Sequence, residues 1–158
     1  MSDEILFQFD LAWALADLHL AALVEDDFLW EPAPLCWTVR PDAAGVWRPD
    51  FAEVEPDPIP VPTIACLTWH IDCPPCTRGG APRWSTTIDR VTSAPPRDRT
   101  DVTWPGTGSA AVTRIRELAA QWRELLATAD TRTALWVNVE LTKNIAEIGQ
   151  LRLLRAAS

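Results

Sequence analysis

The sequence of 158 residues has only two histidines, six glycines and no tyrosine, and these shortages remove several common classes of enzyme. Neither His19 nor His70 stands in a pattern typical of a Ser/His/Asp triad. The sequence also has no glycine-rich phosphate loop and no Gly-x-Ser-x-Gly motif. It therefore gives no support to a serine hydrolase or to a nucleotide-binding loop.

A long apolar run and a stripe of basic residues are also missing. The longest hydrophobic stretch, residues 11–24, is interrupted by Asp17 and His19, and residues 1–4 are acidic where a signal peptide is basic. The net charge of −8 and the scattered arginines disfavour binding to a phosphate backbone. We expect a soluble cytoplasmic protein with reduced cysteines, no membrane span and no nucleic-acid partner.

Four segments show the apolar spacing of amphipathic helices, and the length predicts a single domain over residues 1–158. Ser109 is the predicted N-cap of the third helix, and residues 84–91 are predicted to resume the second. Residues 130–132 form only a short connection between the last two predicted helices, which predicts that these helices are antiparallel. Nothing alternates as a strand does, so the prediction is an all-α four-helix bundle without a sheet. The predicted helices are Asp3–Val24, Thr63–Asp72, Ser109–Ala127 and Trp136–Arg155.

Two loops are predicted from proline and glycine. Eight of the fourteen prolines lie in residues 32–62, which excludes a regular helix there. We expect an ordered Pro/Trp-rich loop between the first two helices, held by Trp37, Trp47 and Phe51. Cys73–Arg83 contains two turn-forming clusters and little apolar content, so this segment is predicted to be exposed, mobile and sensitive to proteases.

The last predicted helix carries polar residues within its apolar stripe. Asn144 lies in the middle of that stripe, and Glu140 lies one turn before it. A polar side chain that faces the core must be paired, hydrated or bound to a ligand, so this pair predicts an interior site. His70 is a candidate for the same site, while Glu147 lies at its edge. The apolar stripe consists of Val137, Leu141, Ile148 and Leu151.

Cys73 and Cys76 form a second candidate, because a Cys-x2-Cys pair can bind zinc or act as a redox couple. Structural zinc usually needs four ligands, and thioredoxin-like chemistry needs a strand followed by a helix. Incidental thiols in an exposed loop are therefore the default interpretation. His19 is predicted at the surface, and Asp10 and Asp17 are predicted to be the solvent side of the first helix.

Five blocks follow one another along the chain: LeuTrpGluProAlaProLeuCysTrpThrValArgPro (29–41), ProValProThrIle (60–64), TrpHisIle (69–71), TrpProGly (104–106) and TrpValAsnValGluLeuThrLysAsnIleAlaGluIleGly (136–149). In these blocks and their order the sequence resembles the DinB family, and most of all its actinobacterial branch. The resemblance covers nearly all of the chain. It implies a four-helix bundle with up-down-down-up connectivity, often dimeric, in a superfamily of metal-dependent transferases and isomerases that use low-molecular-weight thiols.

The resemblance also implies a set of metal ligands. In the typical family site, one His on the second helix and two His four residues apart on the last helix hold a divalent metal. His70 matches the first position, and Glu140 and Asn144 stand at the other two. An amide oxygen is a weak ligand for zinc or nickel and suits harder ions such as manganese better. Cys73–Arg83 is inserted relative to the family, and the connection between the last two helices is shortened.

The sequence is compatible with three functions. The first is a DinB-like binding or vestigial protein whose ancestral metal site has degraded to a hydrogen-bonded cluster of His70, Glu140 and Asn144. The second is a metal-dependent transferase or isomerase that uses a thiol and holds its metal with the same three residues. The third is a thiol or zinc module at Cys73 and Cys76. The resemblance implies a low-molecular-weight thiol as ligand and a homodimer as the assembly.

Overall fold

The computed structural model describes residues 3–52, 54, 56–72, 88, 92 and 101–158, and this part of the chain is mostly helical. Helix formation agrees with the apolar spacing of the sequence. No helix among the described residues is long and apolar enough to cross a membrane. The described helices are α1 (Asp3–Ala21), α2 (Glu25–Phe28), α3 (Ile64–Asp72), α4 (Gly108–Leu125) and α5 (Thr131–Ala156).

The prediction of a protein without a sheet is wrong, because the proline-rich segment contains two small two-stranded sheets. In one sheet two strands pair in parallel, with Cys36 opposite Val61; in the other the pairing is antiparallel. Strands of two or three residues are too short to show alternation in the sequence. The strands are β1 (Cys36–Trp37), β2 (Val39–Pro41), β3 (Trp47–Pro49) and β4 (Val61–Pro62).

The aromatic anchors of this segment differ in how well they are held. Trp47 packs edge-on against Trp104, with ring centroids 5.4 Å apart, and the two residues also pair through their backbones. Trp37 is half-buried, whereas Phe51 is exposed. Trp47 therefore anchors the segment as predicted, while anchoring by Trp37 and Phe51 stays a prediction.

The N-termini of α4 and α5 differ from the predicted ones. Thr107, not Ser109, is the N-cap of α4, and its hydroxyl accepts a hydrogen bond from the backbone N–H of Ala110. Helix α5 begins five residues earlier than predicted, because the Asp130 carboxylate caps it at Thr131. Helix α1 in turn ends at Ala21, before the separate short helix α2.

Helices α1 and α5 lie side by side and run in the same direction. Asn138 of α5 donates from Nδ2 to the backbone oxygen of Ile5 (3.3 Å) and to Oε1 of Gln8 (3.0 Å) at the start of α1. Further along both helices, the imidazole of His19 lies over Gly149. Because residues that come later in α1 meet residues that come later in α5, the two helices are parallel.

Ion pairs show that α1 and α4 run in opposite directions. Arg116 of α4 binds Asp17, and Arg123, two turns later, binds Asp10, each at 2.8 Å. The later arginine meets the earlier aspartate, so the helices are antiparallel. Asp10 and Asp17, predicted only as a solvent-facing pair, are thus half-exposed partners of α4.

Helix α3 lies against both α4 and α5 and is buried except at His70 and Asp72. Near its middle, Thr68 accepts a hydrogen bond from Nε1 of Trp104, just before α4. At its end, the Asp72 carboxylate accepts two hydrogen bonds from Arg114 at 2.9 and 3.0 Å, one turn and a half into α4. This order of contacts is that of parallel helices.

One core joins α1, α3, α4 and α5. The predicted second piece of helix over residues 84–91 lies outside the described residues except for Ile88, which is helical and buried. The largest core side chains fill the space between the helices, so polar residues at the same level need partners or ligands. These side chains are Trp122, Phe9, Ile64, Ile115, Leu118, Leu126, Leu141 and Ile148.

Candidate functional site

Asn144 is one of two buried asparagines whose side-chain oxygen has no partner among the described residues. Its side chain is buried, with 4% of the residue exposed, in the apolar stripe of α5. Nδ2 donates to the backbone oxygen of Glu140 at 2.9 Å, one turn earlier. Oδ1 is buried and has no hydrogen-bond partner among the described residues. A buried acceptor without a donor is costly, so a donor or a cation that reached Oδ1 would be stabilised there.

The helical wheel shows which neighbour Asn144 faces. Asn138 and Gly149 both contact α1 and lie about 20° apart on α5, at about 100° per residue. Asn144 is rotated from both by about 120–140°. Helix α3 is the other helix that packs closely along α5. Asn144 therefore lies on the side of α5 that is turned toward α3.

His70 and Glu140 are both half-buried, on α3 and α5 respectively. Glu140 lies one turn before Asn144, and Glu147, also half-buried, lies on the same side of α5. The three predicted site residues lie on α3 and α5, and these two helices pack against each other. Convergence of the side chains of His70, Glu140 and Asn144 on one point stays a prediction.

The side chains of His70, Glu140 and Asn144 can be compared with the ligands that a metal ion requires. The described residues contain no group of three or more His, Cys, Asp or Glu side chains that could share an ion. His70, Glu140 and Asn144 would not make such a group, since Asn144 is an amide. Its unpaired Oδ1 could bind a hard cation, but one imidazole, one carboxylate and one amide oxygen form a weak set for zinc or nickel.

The predicted thiol site lies outside the part of the chain that the structure describes. Cys73, Cys76 and the rest of the predicted insertion, up to Arg83, are all outside the described residues. Of the two described cysteines, Cys36 donates from its thiol to the backbone oxygen of Ala33 at 3.0 Å, and Cys66 is buried. The thiol or zinc module therefore stays a prediction.

Asn138 and His19 are two polar contacts in the core that the sequence analysis missed. Asn138 is 1% exposed and bonds to α1 through Nδ2, while its Oδ1 has no partner among the described residues. The prediction of His19 at the surface is wrong, because its ring is half-buried over Gly149. A glycine inside a long helix was the available signal, since it often marks a close approach.

Two open depressions elsewhere on the described surface do not contain the predicted residues. One, of about 380 Å³, lies beside Trp30 and Arg155. Arg155 there binds Asp27, whose other oxygen accepts from the backbone N–H of Val24. The second, of about 210 Å³, lies between the strands near Asp50. Both are lined by residues that join neighbouring elements, and neither has the buried, unpaired acceptor found at Asn144.

Comparison of the chain with protein-family models, curated proteins and solved structures gives no match. The likeness to the DinB family therefore rests on the sequence blocks quoted above.

Proposed function

We propose that this chain is a DinB-like four-helix bundle with up-down-down-up connectivity, formed by α1, α3, α4 and α5. Three pairwise directions support this topology: α1 is parallel to α5, α1 is antiparallel to α4, and α3 is parallel to α4. Taking α1 as up makes α3 and α4 down and α5 up. The Pro/Trp-rich segment with its two small sheets then forms the long connection from α1 to α3.

Within this bundle, the protein acts as a binding protein with a degraded metal site. The unpaired Oδ1 of buried Asn144 carries this proposal, because it leaves one acceptor open beside α3. We expect His70 and Glu140 to complete the site, because a carboxylate beside an imidazole favours the charged pair. The ligand is a small molecule that donates a hydrogen bond to Oδ1 of Asn144.

A divalent metal would be held by the imidazole of His70, the carboxylate of Glu140 and Oδ1 of Asn144. Bound there, it would polarise an electrophile or lower the pKa of a bound thiol or water. This is the chemistry of the alternative function, a metal-dependent transferase or isomerase that uses a low-molecular-weight thiol. The amide ligand and the single imidazole favour the binding function over this alternative.

Thermal melts of metal-free protein, with and without added zinc, nickel or manganese, distinguish the two functions. We expect each metal to change the melting temperature by no more than a few degrees, since a ligand that binds weakly adds little to the free energy of unfolding. A rise of many degrees with one metal, lost in His70→Ala, would overturn the binding function in favour of the metal enzyme. In metal-free buffer, His70→Ala should lower the free energy of unfolding by about 1–3 kcal/mol, because Glu140 loses its partner.

Asn144→Leu and Asn138→Leu form a matched pair on one helix. Asn144→Leu removes an acceptor that has no donor, so we expect a neutral or stabilising effect without ligand. Asn138→Leu removes two hydrogen bonds to α1, so it should destabilise the protein. Native mass spectrometry of protein purified from cells should show a small molecule on wild type and Asn138→Leu, but not on Asn144→Leu. Equal occupancy of all three would refute a site at Asn144.

A further inference from the structure

The depression beside Trp30 and Arg155 lies where α2 and the residues after it meet the last turn of α5. Its volume of about 380 Å³ falls at the lower end of the range of about 300–1,000 Å³ that is usual for small-molecule sites. A single small molecule therefore suits it better than a peptide. We call it the α2–α5 depression, and it is lined by two acidic, two apolar and one basic side chain: Glu25, Asp26, Leu29, Trp30 and Arg155.

Arg155 brings hydrogen-bond donors to this depression that the protein leaves unused. Its Nε lies 3.3 Å from Oδ1 of Asp27, which is its one ion pair in the part of the chain that the structure describes. Its Nη1 has no hydrogen-bond partner there. A guanidinium carries five N–H donors in a planar fork that matches a carboxylate. Because the Arg155 side chain lines the depression and is 25% exposed, a carboxylate from solvent can reach this fork.

Asp26 brings an unused charge of the opposite sign. It is exposed, and its carboxylate has no hydrogen bond or ion pair with the described residues. The neighbouring Glu25 is already occupied, since its two carboxylate oxygens accept from the backbone N–H groups of Gly108 and Ser109 at 2.7 and 3.4 Å. Asp26 and Arg155 thus line one depression without pairing with each other. A ligand that carries both charges would satisfy both residues.

Trp30 and Leu29 form the apolar part of the lining. The indole of Trp30 is half-buried and packs against the core, so it gives the depression a fixed aromatic wall. Leu29 is 42% exposed, and part of its surface would be covered by a ligand. Removal of this apolar surface from water favours a ligand with an alkyl or aromatic group.

We infer that the α2–α5 depression binds a free α-amino acid with a large apolar side chain. The carboxylate of the ligand accepts from Arg155, its ammonium group donates to Asp26, and its side chain packs on Trp30 and Leu29. Both charged groups of an α-amino acid are attached to one carbon, so one small molecule supplies both. A simple anion would leave Asp26 facing a like charge, and a simple cation would do the same to Arg155.

This site is separate from the one at Asn144. Arg155 follows Asn144 by eleven residues on the same helix, which corresponds to about 16 Å along the helix axis. The buried side chains of Ile148 and Leu151 lie between them. One amino acid cannot reach both places, so the inference does not depend on the proposed function. Asn144→Leu should leave the binding of an amino acid at the α2–α5 depression unchanged.

Isothermal titration calorimetry with L-leucine and L-phenylalanine tests the ligand class. We expect saturable binding of both to the wild-type protein. Three analogues each lack one recognised group: N-acetyl-L-leucine has no ammonium group, L-leucinamide has no carboxylate, and L-alanine has little apolar surface. Each should bind at least about 10-fold more weakly than L-leucine, because a charged hydrogen bond or an apolar contact is lost.

Variants of the lining place the ligand in the depression. Asp26→Asn and Arg155→Gln should each raise the dissociation constant for L-leucine at least about 10-fold. Glu124→Gln and Arg132→Gln are matched controls, since they change the charge equally at exposed residues on α4 and at the other end of α5. Both should bind as wild type does. In the wild-type protein, L-leucine should also shift the indole N–H signal of Trp30 in a ¹H–¹⁵N spectrum, assigned by its absence in Trp30→Phe.

Several results would overturn the inference. One is neither heat nor a shift of the Trp30 signal at about 10 mM L-leucine or L-phenylalanine. Equal affinity for N-acetyl-L-leucine would make this a carboxylate site, and equal affinity for L-leucinamide would make it an amine site. Unchanged binding in Asp26→Asn would place the ligand elsewhere. Arg155→Gln removes a partner of Asp27, so circular dichroism checks its fold; if it does not fold, the exposed Asp26→Asn decides.

Discussion

At the scale of single residues, two buried asparagines on α5 do different things. Asn138 donates to two acceptors on α1 and so fixes how the two helices are aligned. Asn144 donates only to its own helix. Both asparagines leave Oδ1 without a partner among the described residues, so they differ in whether Nδ2 reaches a neighbouring helix.

Gly149 gives the sharpest prediction at this scale. A Cβ atom at Gly149 would lie 2.7 Å from Cε1 of His19, closer than such atoms approach in proteins. We expect Gly149→Ala to lower the free energy of unfolding by about 1–3 kcal/mol, the usual cost of overpacking. Urea denaturation measures this change.

A double-mutant cycle with His19→Ala identifies the cause. With the imidazole removed, the alanine at position 149 has room, so Gly149→Ala should cost little in the His19→Ala background. Two effects that simply add would show that the loss comes from elsewhere. Alanine forms helix better than glycine, so a small gain in the double variant would agree with the expectation.

Sequence spacing identified Asn144 as buried but missed Asn138 and Gly149, for a physical reason. A single apolar stripe describes a helix that packs on one neighbour. Helix α5 packs on both α1 and α3, so its buried side is wider than one stripe. Which neighbour lies against each edge depends on residues that are distant in the sequence, 133 positions away in the contact of Asn138 with Ile5, and local spacing carries no information about them.

At the scale of elements, the helix ends are held by acidic side chains from two sources. Asp130, the residue directly before α5, is the N-cap of that helix. The N-terminus of α4 is held by Glu25 of α2, whose Oε1 accepts from the backbone N–H of Gly108 at 2.7 Å. A carboxylate there is favoured by the partial positive charge of the helix N-terminus. The four-residue helix α2 thus fastens the start of α4.

Asp130 predicts a pH dependence of the stability of α5. Hydrogen bonds from the side chain and then the backbone N–H of Thr133 hold the pKa of Asp130 below its ordinary value of 3.8. The folded chain therefore favours the carboxylate. The resulting stabilisation is complete above pH 3.8 and is lost as the pH falls through the lower folded value.

Thermal melts of Asp130→Ala across pH test this. The variant should melt below wild type at neutral pH, and the difference should shrink once the acid range below pH 3.8 is reached. Asp130→Asn is the control, because asparagine also caps a helix but does not titrate. A difference between Asp130→Ala and wild type that is constant with pH would contradict the role of the carboxylate.

The strands could not be predicted from the sequence, whereas α1, α3, α4 and α5 could. A helix of eighteen or more residues repeats its apolar spacing several times, as α4 and α5 do. Strand pairs such as Cys36 with Val61 form only when two separate segments meet. Neither segment is long enough to show a repeating apolar pattern. Helix ends were missed for a similar reason: Thr107 and Ser109 are both good caps, and the chain direction before the helix decides between them.

At the scale of the whole molecule, Trp104 joins the sheets to the helices. Its indole N–H donates to Thr68 of α3, its ring packs on Trp47 of β3, and Phe28 of α2 lies 6.4 Å away, measured between ring centroids. Three elements that are distant in sequence therefore meet on one buried side chain.

Trp104→Ala should accordingly lower the free energy of unfolding by about 3–5 kcal/mol, since a large buried aromatic ring leaves a cavity. Trp136→Ala, at an exposed tryptophan of α5, should cost far less. Urea denaturation gives both values, and near-ultraviolet circular dichroism should report loss of the fixed Trp47 environment only in Trp104→Ala. Similar losses for both variants would show that Trp104 is not the junction.

The parallel pairing of α1 with α5 has a consequence for how the chain reaches its fold. The hydrogen bond from Asn138 to Ile5 closes a segment of 133 positions, so it forms only after α5 has left the ribosome. Until then α1, apolar on its inward and outward sides, has no permanent cover. Long-range closure of this kind slows folding. During synthesis the nascent chain therefore exposes an apolar N-terminal helix, which is the kind of segment that chaperones bind.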